Sequence, residues 1–113
     1  MSIKIDRLEH KFAIEISTII KEEMKDERIG FVTITDVSIT NDLSFAKVYV
    51  TILNDEEKNN SIKVLNNASK FIEMELSKRI DIRKMPELKF VYDESIEYSN
   101  NIEKIIERIN HNE

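Results

Sequence analysis

The chain has 113 residues, contains no cysteine and carries a formal net charge of −5. This length suits one domain with its own hydrophobic core, and 41% hydrophobic residues is too many for a disordered chain. The lack of cysteine excludes disulfides, thiolate metal sites and a cysteine nucleophile. The two histidines, His10 and His111, offer few ligands for zinc, so we predict no metal and no cofactor.

The apolar residues are not arranged to span a bilayer, because no run approaches the roughly 18 to 20 residues required. Residues 1–10 are charged and amphipathic and lack the features of a secretory signal. We therefore expect a cytoplasmic protein without a membrane partner. The acidic total charge still allows a local basic patch, because nucleic-acid binding follows the distribution of charge more than its sum.

Apolar residues spaced by three and four positions predict a first helix over residues 2–24. We expect it to stop near Gly30, since glycine takes a left-handed backbone conformation at no steric cost. The carboxylates of Glu22 and Glu23 are paired near the end of this helix. Paired carboxylates can perform acid–base chemistry, but a solvated acidic run is the simpler interpretation.

Two strands are predicted next, over residues 31–40 and 43–53, joined into a hairpin by a tight two-residue turn at Asn41 and Asp42. The first strand changes the parity of its apolar residues midway. A β-bulge at Thr35 and Asp36 would keep all of these residues on the core side of the sheet. A strand that is buried on both faces is the alternative.

The outward parity of the second strand carries Lys47, Tyr49 and Thr51. This row could be a stacking surface, but a tyrosine in such a position is more often an ordinary surface residue. Three phenylalanines follow apolar patterns and are predicted to lie in the core: Phe12, Phe71 and Phe90.

A second helical pattern begins after Ser61, which we interpret as the N-cap, and continues to Ile80. By periodicity alone it is a single helix of about five turns. Residues 66–69 are its weakest helix formers, because Asn and Ser side chains compete for backbone hydrogen bonds and favour caps and bends. A helix weakened next to basic residues indicates a place where backbone and charge meet a phosphate.

Pro86 ends the helical region, and a third strand is predicted over residues 88–92. Asp93 then starts a final amphipathic helix. A hairpin followed by a helical crossover into a third strand predicts an α+β fold with helices on one sheet face. We predict one domain, in which residues 1–95 form the folded unit and residues 96–113 form a helix packed on it or extending from it.

Basic residues gather where the second helical region ends, with two more nearby: Lys78, Arg79, Arg83 and Lys84, then Lys70 and Lys89. This cluster could contact RNA phosphates, or it could be a solvated helix end in which cations meet the C-terminal dipole. The chain has no P-loop, no GxGxxG pattern and no Ser-His-Asp spacing, so we predict that it is not an enzyme.

Several sequence blocks stand in a fixed order along nearly the whole chain. They are residues 25–30 (KDERIG) leading into 32–37 (VTITDV), residues 46–50 (AKVYV) and residues 86–95 (PELKFVYDES). In this order and spacing they resemble the ribosome-binding factor A family, bacterial assembly factors of the small ribosomal subunit.

The resemblance implies a type II KH-like fold of order α-β-β-α-kink-α-β, with a mixed three-stranded sheet backed by helices and an extra C-terminal helix. In this family a helix-kink-helix with Ala-X-Gly replaces the GXXG loop of other KH domains. The matching residues here are Ala68, Ser69 and Lys70, so a lysine replaces the glycine, and its ammonium can meet a phosphate directly. The implied RNA-binding residues are Asn67, Ser69, Lys70, Lys78, Arg79, Arg83, Lys84 and Lys89.

The function implied by the resemblance is that of a non-catalytic, monomeric factor. It would bind free or immature 30S subunits and their 16S rRNA, and support late maturation, processing of the rRNA precursor and growth in the cold. Two rival hypotheses belong to other classes. One is a protein-interaction module that binds another translation-related protein through the C-terminal helix, and the other is a small oligomeric enzyme that uses acidic residues.

Overall fold

The computed structural model describes residues 3–24, 32–53 and 58–95. Its elements in chain order are α1 (Ile3–Ile19) with a π-helical turn (Ile20–Met24), β1 (Val32–Ile39), β2 (Phe45–Ile52), α2 (Lys58–Asn67), α3 (Ser69–Arg79) and β3 (Glu87–Tyr92). The predicted order of helices and strands is confirmed up to β3. Gly30 and the predicted C-terminal helix, residues 96–113, lie outside the described residues.

Helix α1 covers the sheet with Phe12, Ile16 and Ile19, all fully buried at spacings of four and three residues. The predicted helix over residues 2–24 is observed from Ile3 to Met24, but its last turn differs in type. There the backbone widens into a π-helix, which hydrogen-bonds over five residues instead of four. This wider turn leaves Ile20 and Met24 partly buried against the core.

The sheet has the strand order β1-β2-β3 and is mixed, as predicted, because β1 pairs with β2 antiparallel and β3 pairs with β2 in parallel. The predicted β-bulge is confirmed. Ile34 lies opposite Val50 while Asp36 lies opposite Tyr49, so Thr35 is the extra residue. The bulge reverses the parity of β1 at the point where its apolar pattern changes phase.

The hairpin turn is longer than the two residues predicted and occupies residues 41–44. The Thr40 N–H donates to the Phe45 carbonyl (3.0 Å), and Leu43 has a left-handed backbone with φ of 61°. The Asp42 carboxylate holds this turn by accepting from the Thr40 hydroxyl (2.9 Å) and the Ser44 N–H (3.0 Å). The Thr40 hydrogen bond is the main cause that lowers the pKa of Asp42, followed by Ser44.

The helices lie on one face of the sheet and bury a single core. Phe12 and Phe90 belong to it, as predicted, but the prediction for Phe71 is wrong, because Phe71 is 37% exposed. The opposite, open sheet face carries the predicted outward row from β2, in which Lys47 is exposed and Tyr49 is half-buried. Within the described residues, no helix combines the length and apolar character needed to cross a membrane.

The second helical region is two helices, as the resemblance implied, and not the single helix that periodicity favours. Helix α2 ends at Asn67, Ala68 forms a turn and α3 begins at Ser69. The prediction of Ser61 as N-cap is wrong, because α2 begins at Lys58 and Ser61 is fully buried inside it.

Candidate nucleic-acid interface

The break between α2 and α3 is a mild bend centred on Ala68. Its N–H donates to the carbonyls of Val64 (3.0 Å) and Leu65 (3.1 Å), and its carbonyl accepts from the Ile72 N–H (3.0 Å). Ala68 is the N-cap of α3 and supplies no side-chain acceptor to the first N–H groups of that helix. Helical hydrogen bonds thus continue on both sides of Ala68, and the start of α3 has no side-chain cap.

The bend is fixed to β3 by the side chain of Asn66. Its Nδ2 donates to the Phe90 carbonyl (3.0 Å), and its Oδ1 accepts from the Phe90 N–H (2.8 Å). One turn of α3 further on, the Glu73 carboxylate accepts from the Leu88 N–H (3.1 Å). Both side chains satisfy groups on the outer edge of β3, an edge that would otherwise be open to pairing with another strand.

Helix α3 projects its lysines and withdraws its carboxylates. The side chains of Lys70 and Lys78 are 79% and 63% exposed, whereas those of Glu73 and Glu75 are only 13% and 15% exposed. Nζ of Lys70 lies 3.6 Å from Oε1 of Glu73, and Nζ of Lys78 lies 3.1 Å from Oε2 of Glu75. Because pairs with such exposed cations are weak, the ammonium groups remain available to a phosphate.

The outward face of α3, which we call the α3 face, consists of Lys70, Phe71, Met74 and Lys78, all exposed. Lys63 and Asn67 of α2 are exposed as well. Sequence reasoning missed Lys63 and Phe71 as candidate residues. For Lys63 the available signal was its spacing of four and seven residues from Asn67 and Lys70, which places the three on one side of a helix.

Arg79 points away from the α3 face and ties α3 to the first helical segment. Its Nη1 lies 3.7 Å from Glu15 and its Nη2 lies 3.6 Å from Glu23, and its side chain is only 26% exposed. Arg79 therefore has two carboxylate partners within the fold, and its side chain is far less exposed than those of Lys70 and Lys78.

The remaining predicted residues do not join the α3 face into one patch. Arg83 and Lys84 are exposed in the loop before β3, where the Lys84 ammonium donates to the Ser44 hydroxyl at 3.3 Å. Lys89 is exposed between the core-facing Leu88 and Phe90, so its side chain lies on the open sheet face. The structure therefore divides the predicted basic set among the kink, the loop and the opposite face.

We searched the described residues for groups of side chains that could bind a metal ion. Among residues 3–24, 32–53 and 58–95, no three His, Cys, Asp or Glu side chains are grouped so that they could hold an ion. Of the acidic pair Glu22 and Glu23, Glu23 lies 3.6 Å from Nη2 of Arg79.

An α-β-β-α-α-β order with a kink between its last two helices defines a KH-like domain of type II. The sequence model of the family described as "Ribosome-binding factor A" matches residues 4–106. A protein of that name from Staphylococcus epidermidis is 49% identical over 113 residues, covering 99% of this chain and 97% of the relative. The chain belongs to the ribosome-binding factor A family.

Solved structures show the same fold. The crystal structure of ribosome-binding factor A from Thermus thermophilus matches with a TM-score of 0.71 at 24% identity, over 78% of this chain and 94% of the other. A homology model of the Thermus thermophilus factor, fitted into the cryo-EM map of a 30S complex of that factor, matches with a TM-score of 0.62 at 24% identity, over 84% and 97%. The predicted KH-like fold is confirmed.

Proposed function

We propose that this chain is a non-catalytic ribosome assembly factor of the cytoplasm. It binds free or immature 30S subunits as a monomer and contacts their 16S rRNA. By holding the RNA during late maturation, it allows separate nucleases to process the rRNA precursor. Its role is greatest in the cold, because misfolded RNA helices escape slowly at low temperature.

Family membership is the observation that carries this proposal, through the 49% identity to the Staphylococcus epidermidis factor. The Thermus thermophilus relative, which has the same fold, is described in a complex with the 30S subunit. The acidic total charge of this chain is compatible with RNA binding, since α3 turns its lysines outward and its carboxylates inward.

The RNA contact that we propose centres on the kink. The exposed Lys70 ammonium meets a phosphate there, with Asn67 and Ser69 as its polar neighbours. Lys78 lies about 12 Å further along the helix axis, at a rise of about 1.5 Å per residue, and meets a second phosphate. Here a lysine ammonium takes over the phosphate contact for which the family uses a glycine backbone.

We assign Arg83 and Lys84 to a second, separate RNA contact in the loop that follows α3. Arg79 and Lys89 belong to neither contact. Arg79 is engaged with Glu15 and Glu23, and RNA on the α3 face cannot simultaneously reach Lys89 on the open sheet face. We therefore assign RNA binding first to the kink and the α3 face, and next to the loop.

Sedimentation with purified 30S subunits at moderate salt tests the proposal. We expect the chain to co-migrate with the subunit, and the Staphylococcus epidermidis relative serves as a positive control under the same conditions. If the relative co-migrates and this chain stays at the top of the gradient, the proposed function is wrong. If both co-migrate, chemical crosslinking on the subunit locates the rRNA nucleotides in contact.

A further inference from the structure

The α3 face carries two apolar side chains that the core does not use. Phe71 is 37% exposed and Met74 is 50% exposed, whereas Ile72 and Leu76 of the same helix are fully buried. Successive residues of an α-helix are turned by about 100°, so Phe71 cannot follow Ile72 into the core. Phe71 therefore presents part of an aromatic ring to solvent in the first turn after the kink.

The surroundings of Phe71 are cationic. Lys70 precedes it and Lys78 lies two turns further along the same side of α3, and both ammonium groups project into solvent. The nearest carboxylates on the helix, those of Glu73 and Glu75, are largely withdrawn. A ligand that lies along this face meets positive charge and a ring, a combination that fits the phosphates and bases of single-stranded nucleic acid.

We propose that Phe71 stacks on an unpaired rRNA base while the exposed Lys70 ammonium holds the adjoining phosphate. This inference rests on the proposed function and adds to it the side chain that stacks on a base. In a duplex the base faces are stacked on one another, so they are not free for a side-chain ring. Phe71 thereby makes the α3 face prefer unpaired rRNA over helical rRNA.

The size of the apolar surface favours a base over a protein partner. A stable protein interface buries about 800 Å² on each side, and Phe71 and Met74 are the only large hydrophobic residues exposed on the described helix α3. One ring is enough to stack on one base. The described segments expose three other large apolar residues, and none of them lies on α3. Ile14 is in α1, Phe45 is in β2, and Leu53 follows β2.

The test measures affinity of the full chain for a short unstructured RNA and for a blunt-ended duplex of the same composition. Phe71→Leu keeps an apolar side chain and removes the ring, so we expect about tenfold weaker binding of the single strand, within the range of base–aromatic stacking. Binding of the duplex should not change. Phe71→Tyr, which keeps the ring, should bind the single strand like the wild type.

Met74→Leu is the matched control, because it changes an exposed apolar residue of the same face without removing a ring. We expect it to leave both RNA affinities unchanged. The salt dependence of binding should also be the same for Phe71→Leu and the wild type, since no charge is lost. Thermal unfolding of each variant verifies that the fold is retained.

Two outcomes would overturn the stacking proposal. One is equal affinity of the wild type and Phe71→Leu for the single strand. The other is a Phe71→Leu defect seen only with whole subunits, which would assign the ring to a ribosomal protein. If wild-type chain co-sediments with 30S subunits in either case, the proposed function stands and only the stacking inference fails.

Discussion

At the scale of single residues, Asn66 shows how a poor helix former can serve the fold. Its amide forms both a donor and an acceptor contact with the backbone of Phe90, 24 positions away. A helix-favouring residue with an apolar side chain could not pair with these two groups. The cost of Asn in a helix is therefore offset by a tertiary hydrogen-bond pair that places the kink against β3.

Replacing Asn66 with alanine should destabilise the fold. Phe90 would keep an N–H and a carbonyl without their side-chain partner, and we expect the free energy of unfolding to fall by about 1–3 kcal/mol. Urea denaturation measures the change, with Asn67→Ala as the control because Asn67 is exposed in the next position of the same helix. Equal stability of the two variants would contradict the role assigned to Asn66.

Asp42 should make the stability of the fold depend on pH in the acidic range. The Thr40 hydroxyl and the Ser44 N–H hold the pKa of Asp42 below its ordinary value in the folded chain. A lowered folded pKa means that the ionised carboxylate contributes stability above the unfolded pKa, at about 4. This contribution is lost as the pH falls from there through the folded pKa.

Asp42→Asn tests this linkage. We expect the variant to be less stable than the wild type at about pH 7. The difference should shrink towards about pH 3, because Asp42 takes up a proton more readily in the unfolded chain than in the folded chain. Urea denaturation at both pH values measures it, and Asp81→Asn controls for the loss of one exposed carboxylate. A stability difference that is independent of pH would be incompatible with the assigned ionisation.

At the scale of elements, the side chains of α3 that point in different directions have different roles. Ile72 and Leu76 enter the core, Glu73 reaches β3 and Arg79 reaches the first helical segment. The α3 face retains the lysines and the exposed ring. A helix with nearly balanced charges in its sequence therefore presents a cationic surface.

Lys70→Ala should weaken binding to 30S subunits and lower the slope of log affinity against log salt by about one phosphate contact. Stability should barely change, because the Lys70 side chain is 79% exposed. Filter binding across a salt series measures the slope. Lys89→Ala removes the same charge from the open sheet face, and we expect its slope to equal that of the wild type. Identical slopes for the two variants would refute the assignment of Lys70.

At the scale of the whole molecule, the layered fold separates two exposed surfaces. Helices cover one side of the mixed sheet, and the kink and the α3 face lie on that side. Lys47, Tyr49 and Lys89 belong to the open sheet face. The predicted division into residues 1–95 and a C-terminal helix over residues 96–113 remains a prediction, because the second segment lies outside the described residues.

Deleting residues 101–113 tests whether RNA binding belongs to the first unit. We expect the shortened chain to unfold cooperatively and to keep its affinity for 30S subunits, because the kink and the α3 face lie within residues 63–78. Gel shift and thermal unfolding measure the two properties. Retained RNA binding with loss of a protein partner would instead support the rival interaction module, and loss of RNA binding would refute our assignment.

The element order and the bulge were predictable from the sequence, because they depend on local periodicity. Alternation with a period of two predicts the strands, and its change of phase at Thr35 is the signal of the bulge. The kink was less accessible. Residues 66–69 showed only a weak helix preference, and the resemblance to the ribosome-binding factor A family was needed to divide the helix.

The directions of individual polar and aromatic side chains were decided by tertiary structure alone. Asn66 meets Phe90 and Arg79 meets Glu15 across long separations in sequence, and no local pattern specifies such pairs. Phe71 was predicted to be buried because it follows an apolar pattern, but it lies beside the stripe of Ile72 and Leu76 that enters the core. The sequence by itself determined the elements and the family, while packing between elements decided which charges and which ring face a ligand.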